Sequence, residues 1–237
     1  MRHLVAAAAP FWAGEAEIVL VYLARPRTLD DDLHWLRAQA YKETRHLRAL
    51  PRPLQEEFLA TGTLAAHPEG PEEARKLGDE MRHYRLITDL IAELTGTPVT
   101  PADLRALPAD AALQALRAPY RAGPPLDRAI VNFTEGGGGA MYAVLMGRGG
   151  SHLERRVAEV FRAIHADEVV HGPGEIHTIA RLARNPHDWD RAERTVRAIC
   201  HQRLHMRNEM FRHPLDPARL AEIAAGGIEP WPLPVAL

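Results

Sequence analysis

An all-α fold is what this sequence predicts, and three observations lead to it. Apolar residues recur at spacings of three and four along several long segments, and clusters of proline and glycine separate those segments. No stretch alternates apolar with polar residues as a half-buried strand would. Neither a repeat of fixed period nor a long low-complexity tract interrupts the pattern. The 237 residues suit a single domain, 1–237, with a substantial buried core.

A first helical segment covers residues 15–24, and Pro26 closes it. A long helix follows from about Leu29. Asp30, Asp31 and Asp32 suit its positive N-terminus, and Pro51 and Pro53 end or kink it. Residues 60–70 read as loop. A second long helix starts after Gly70, with Pro71 in its first turn, and ends near Gly96. Residues 97–124 are proline-rich and hold a short helix at 102–116. The third long helix covers 126–146, and glycines at 147–150 end it. Ser151 and Glu154 have the spacing of a capping box and open a fourth, which reaches about His171; Pro173, between Gly172 and Gly174, then kinks or ends it. A fifth runs over 189–212. One short helix follows Pro214, and then a tail with Pro230, Pro232 and Pro234.

The formal net charge of -2 exerts no global pull toward nucleic acid or anionic lipid. Arginine far outnumbers lysine, which occurs only at 42 and 76; we read this as the codon bias of a GC-rich genome, not as phosphate binding. The single cysteine, Cys200, cannot form an internal disulfide, and its surroundings read as ordinary helix. Arg2, the apolar run 4–9 and Pro10 faintly resemble a secretory signal, but the run is short and Glu15 and Glu17 follow it. The apolar run at 18–24 is far below the ~20 residues that span a bilayer. The expectation is a cytoplasmic protein with no nucleic-acid or membrane partner.

Chemistry enters through polar residues placed on apolar stripes. The first long helix has the stripe Leu36, Ala40, Glu43, Leu47, Leu50, and the second Leu77, Glu80, Tyr84, Ile87, Ile91, with His83 beside it. The third reads Val131, Glu135, Gly138, Tyr142, Leu145, and the fourth Val157, Phe161, Ile164, Glu168, His171. Each of four helices thus turns a carboxylate toward its own core face. A buried lone carboxylate costs several kcal/mol, so it neutralises, pairs or binds a metal. Cations relieve the repulsion among four converging carboxylates. In two helices a histidine three residues after the glutamate can grip the same ion. Glu-x-x-His alone is a weak signal: about one pair is expected by chance among 13 histidines, and the chain has Glu43/His46, Glu80/His83 and Glu168/His171.

The order Glu43; Asp79-Glu80-Met81-Arg82-His83; Glu135; Asp167-Glu168-Val169-Val170-His171 resembles the ferritin-like di-metal carboxylate superfamily of oxidases and oxygenases. The resemblance spans roughly residues 29–175. It implies a ferritin-like four-helix bundle with additional N- and C-terminal helices, a metal-binding core at about 29–182, and a C-terminal helix and tail at 189–237. It implies metal ligands Glu43, Glu80, His83, Glu135, Glu168 and His171, holding two Fe ions, with Mn/Fe or Mn as alternatives, since mixed N/O ligation suits these metals. The implied activity is that of a non-haem di-iron oxidoreductase acting on O2 and a small organic substrate. A reductase or ferredoxin would supply electrons, because the chain has no flavin, nicotinamide or iron–sulfur motif. A homodimer is admitted.

In that family the aspartates preceding the two glutamates accept hydrogen bonds from metal-bound histidines. Asp79 and Asp167, with Arg82 bracing them, would act so here; plain surface charge is the alternative. His46 and His165 stand as extra ligands or as ordinary histidines. Gly136, Gly137, Gly138 and Gly139 leave little side-chain volume beside Glu135. They allow either close helix packing or a cavity for O2 and substrate, and the cavity reading makes Gly139 and Tyr142 candidate catalytic-site residues. The rival functions are a ferroxidase, peroxidase or iron-storage protein, and a metal-free helical interaction module whose inward carboxylates pair with arginines.

Overall fold

The computed structural model describes residues 1–45, 47, 52–61, 70–168 and 174–232. It is all-helical, with no strand among the described residues. The chain divides into two compact units, one of residues 1–28 and 107–237, the other of residues 29–106.

The smaller unit holds α2 (Leu29–Glu43), α3 (Arg52–Thr61), α4 (Gly70–Thr95) and a 3-10 turn, Pro101–Asp103. Asp30, Asp31 and Asp32 fill the first turn of α2, as the positive helix end favours. This helix stops at Glu43, short of the expected proline boundary, where the Thr44 hydroxyl donates to the Tyr41 carbonyl at 2.8 Å. Pro53 does not break a helix; it lies in the first turn of α3, where its missing N–H is harmless. α2 packs on α4. Their buried apolar residues include Trp35, Leu36 and Ala40 on the first and Leu77, Ile87 and Ile91 on the second.

The larger unit is built on α1 (Arg2–Ala24) and α10 (Pro186–Met210), which pack together. Around them lie α5 (Pro108–Arg121), α6 (Pro125–Phe133), α7 (Gly136–Met146), α8 (His152–Glu168), α9 (Glu175–Leu182) and α11 (Pro217–Ala224). α7 packs on both α1 and α8, α5 and α6 on α10, and α9 on α6. Ser151 forms the expected capping box: its hydroxyl accepts from the Glu154 N–H at 3.0 Å, and Glu154 accepts from the Ser151 N–H at 3.2 Å.

Other boundaries also differ from the sequence reading. α1 starts at Arg2, not at 15, and continues through Pro10, because Leu4, Ala7, Ala8, Phe11 and Trp12 are buried along it and packing outweighs one lost backbone donor. At 23 residues it is, among the described residues, the helix long and apolar enough to cross a bilayer; 67% of its most apolar stretch is buried within the protein. The expected helix 126–146 is two helices joined at residues 134–135. There the backbone tightens to i→i−3 bonds, Glu135 N–H to Asn132 O at 2.9 Å and Gly138 N–H to Glu135 O at 2.8 Å. The segment after Pro108, expected to be helical from 102, forms α5 through Arg121. α9 was not foreseen.

Glu15 explains half of the glycine run. It is fully buried on α1 and accepts from Arg203 Nε at 3.1 Å and Arg207 Nε at 3.0 Å, both on α10. Burial, the largest single influence, pushes its carboxyl upward, but the two guanidiniums together hold it below the usual carboxylate range. A Cβ at Gly137 would lie 1.9 Å from Glu15 Oε1, and one at Gly136 would lie 2.8 Å from the Trp12 ring. At Gly138 and Gly139 the nearest atoms, on Tyr142 and His165, are 3.9 and 4.0 Å away. The first two glycines therefore serve close packing, whereas at the last two a Cβ would make only ordinary contacts.

Gly137→Ala should lower stability by about 3 kcal/mol, because the methyl displaces a carboxylate held by two buried arginines. Gly138→Ala should leave stability unchanged or raise it by up to ~1 kcal/mol, the helix-propensity gain. Chemical denaturation of the two variants measures both. The pH dependence has a definite sign. Glu15 has a folded pKa below its unfolded value, so its stabilisation is complete above the ordinary carboxylate range and is lost as pH falls through the depressed folded value. Glu15→Gln should flatten the acid limb of the stability–pH curve and cost about 3–5 kcal/mol at pH 7, where it strands two buried guanidiniums.

Candidate metal centre

The smaller unit brings together three of the sequence-predicted ligands. Glu43 ends α2 on the face that carries Trp35, Leu36, Gln39 and Ala40, all buried. Glu80 and His83 stand three apart on α4, so both project from one side of it. One ligand atom from each of Glu43, Glu80 and His83 lies within 4.8 Å of the others. Glu43 and His83 are buried, and Glu80 is half-buried. His83 Nδ1 stands 3.7 Å from Glu43 Oε2.

Glu43 is positioned by Gln39, whose Nε2 donates to Oε1 of the carboxylate. Gln39 Oε1 in turn accepts from Lys42 Nζ at 3.3 Å. Gln39 escaped the sequence reading, although it lies one turn before Glu43 on the same stripe, which is the signal that marks it. Burial raises the Glu43 pKa, but its polar contacts with His83 and Glu80 and the charges of Lys42 and His83 outweigh it and hold the group down to about 2. Glu43 is therefore an anion at neutral pH. Two carboxylates and an imidazole converging in this way make an O2N donor set of the kind that takes a divalent first-row cation.

The other predicted residues are placed as follows. Glu135 belongs to the larger unit, at the junction of α6 and α7. Its Oε1 lies 3.4 Å from Arg117 Nη1 and 3.9 Å from Arg121 Nη2. Arg117 is itself buried and donates to Thr134 Oγ1 at 2.9 Å. Glu168 is the last residue of α8; its side chain, that of Asp167, and the whole of His171 and Pro173 lie outside the described residues, as does His46. Asp79 accepts from Arg75 Nη1 at 3.2 Å, one turn back on its own helix. Arg82 is exposed. In the larger unit Tyr142 packs against Phe161 at 5.5 Å and meets the His165 ring edge-on at 6.2 Å, with Gly139 next to His165. Cys200 is buried, and burial pushes its thiol up to about 12, which leaves it unreactive as a nucleophile.

No protein-family model, curated protein or solved structure matches this chain. The residues themselves are what speaks to function.

Proposed function

We propose that this chain is a ferritin-like, O2-activating di-iron oxidase or oxygenase that acts on a small organic substrate in the cytoplasm. The observation that carries the reading is the convergence of Glu43, Glu80 and His83 within 4.8 Å. Their donor set fits iron or manganese: an ionised, buried carboxylate, a second carboxylate and a buried imidazole. Glu135, Glu168 and His171 are proposed as the remaining ligands on the sequence pattern alone. Bound iron would supply the electrons that reduce O2, and an external reductase or ferredoxin would replace them.

The chain's own residues would do the rest. Gln39 fixes the orientation of Glu43. Burial of His83 keeps water away from the imidazole. Gly139 and Tyr142 are proposed as catalytic-site residues on the sequence pattern alone. A second reading, a metal-free helical module, draws support from Glu135, which lies against Arg117 and Arg121 as an arginine-paired carboxylate would.

Elemental analysis separates the two. Protein expressed with iron should carry two metals per chain, and Glu80→Ala and His83→Ala should each fall to one or fewer. Metal-free wild-type protein would favour the second reading. Retention of two metals by Glu80→Ala would sink the ligand assignment. Chelation should lower the melting temperature of wild type but not of Glu80→Ala. Bound metal at 100 times its Kd contributes about 2.7 kcal/mol by mass action.

A further inference from the structure

We propose that His201 and His205 form a second, separate metal site: a surface chelate on α10 for a divalent transition-metal ion, with Cu2+ and Zn2+ the best suited by chemistry. The two residues are four apart on one continuous helix, so their rings stand one above the other on the same face. The ring centroids are 4.7 Å apart. An ion held in the plane of both imidazoles at 2.0–2.1 Å from each nitrogen lies about 3.2 Å from each centroid, which for a cis angle of 90–110° puts the centroids about 4.5–5.2 Å apart. The observed separation falls within that interval, and the rings stand at 77° to each other, so the pair has the spacing of a chelate once the ring nitrogens turn toward a shared ion.

The surroundings also suit a cation. His201 is exposed and His205 half-buried, so an ion can arrive from solvent and keep water in its other positions. Phe11 meets the His201 ring edge-on at 6.4 Å and backs it from α1. On the same helix Arg203 and Arg207 are buried against Glu15, and Arg197, one turn before His201, donates to Glu193 at 3.0 Å. Glu209, one turn beyond His205, accepts from the Ala109 N–H at 2.7 Å. The donor set is therefore the two imidazoles plus water, which places Cu2+ first in affinity and disfavours Mg2+ and Ca2+. Burial and the neighbouring His201 lower the pKa of His205, which favours the neutral ring that ligates. A plain edge-to-face ring pair would have the same spacing but no affinity for metal.

The test uses the full chain, stripped of metal, in a Glu80→Ala/His83→Ala background that removes two of the three converging ligands of the centre proposed above. Zn2+ is titrated calorimetrically, and one equivalent of Cu2+ is examined by electron paramagnetic resonance. The expected results are one Zn2+ per chain and a Cu2+ spectrum split by two imidazole nitrogens. Adding His201→Ala or His205→Gln should weaken Zn2+ binding at least tenfold and remove the two-nitrogen pattern. The melting temperature of the metal-free His201→Ala protein should not change, because that side chain is exposed. Binding by His201→Ala equal to that of its parent, or no Zn2+ binding by the parent, would overturn the proposal. Neither result bears on Glu43, Glu80 and His83.

Discussion

The larger unit depends on one buried charge. Glu15 sits at zero exposure in the middle of its most apolar helix, and an uncompensated carboxylate there would cost several kcal/mol. Arg203 and Arg207 remove that cost only if α10 lies against α1 with both guanidiniums aimed at the same two oxygens. Gly137 lets α7 approach the same carboxylate from another side, since any side chain there would occupy the position of Oε1. One acid thus fixes the mutual placement of α1, α7 and α10, and the other helices of this unit build on those three. Apolar packing supplies most of the stabilisation, but it is less directional; the ion pairs set which face of α10 meets α1.

The contrast with Glu43 separates structure from candidate function. Both acids are buried and both are held below the ordinary carboxylate range. Glu15 is satisfied by two fixed guanidiniums and has no need of anything further. Glu43 is satisfied by a neutral amide, an imidazole and a second carboxylate, with Lys42 acting at one remove through Gln39. Two buried or half-buried acids side by side repel each other. A divalent cation would neutralise both at once. A protein using Glu43 and Glu80 only for stability would gain more from an arginine in place of His83.

Much of the candidate centre was legible in the sequence because it lies on regular helix. Glu43 falls on an apolar stripe, and the Glu80–His83 spacing puts two ligands side by side whatever the tertiary structure does. The capping box at Ser151 is likewise a local device, readable from two residues. What was not legible is what tertiary contacts decide. The first helix was expected only from residue 15, yet burial of Leu4, Phe11 and Trp12 carries it from Arg2 through Pro10. Glu15 read as evidence against a secretory signal. Its arginine partners lie 188 and 192 residues away, where no local pattern could disclose them. The ferritin-like bundle itself goes beyond what the all-helical architecture establishes.

The division of the glycine run follows from the same constraint. A uniform helix over 126–146 would have read as one element with four weak positions. Gly136 and Gly137 are instead committed to Trp12 and Glu15, which draws the start of α7 against α1. The strand of backbone just before them must then tighten, and it does so at Thr134 and Glu135 through i→i−3 bonds, with Thr134 tied to the buried Arg117. Glu135 is left at this turn with its carboxylate near two guanidiniums, as in a purely structural ion pair. Past this point the demand for close approach ends. Gly138 and Gly139 meet no neighbour within ordinary contact distance except at its outer edge, so packing does not require glycine there. Two glycines kept in a helix interior without a steric reason cost up to ~1 kcal/mol each relative to alanine. A Cβ at either position would make only an ordinary contact with Tyr142 or His165, so nothing in their packing offsets that cost.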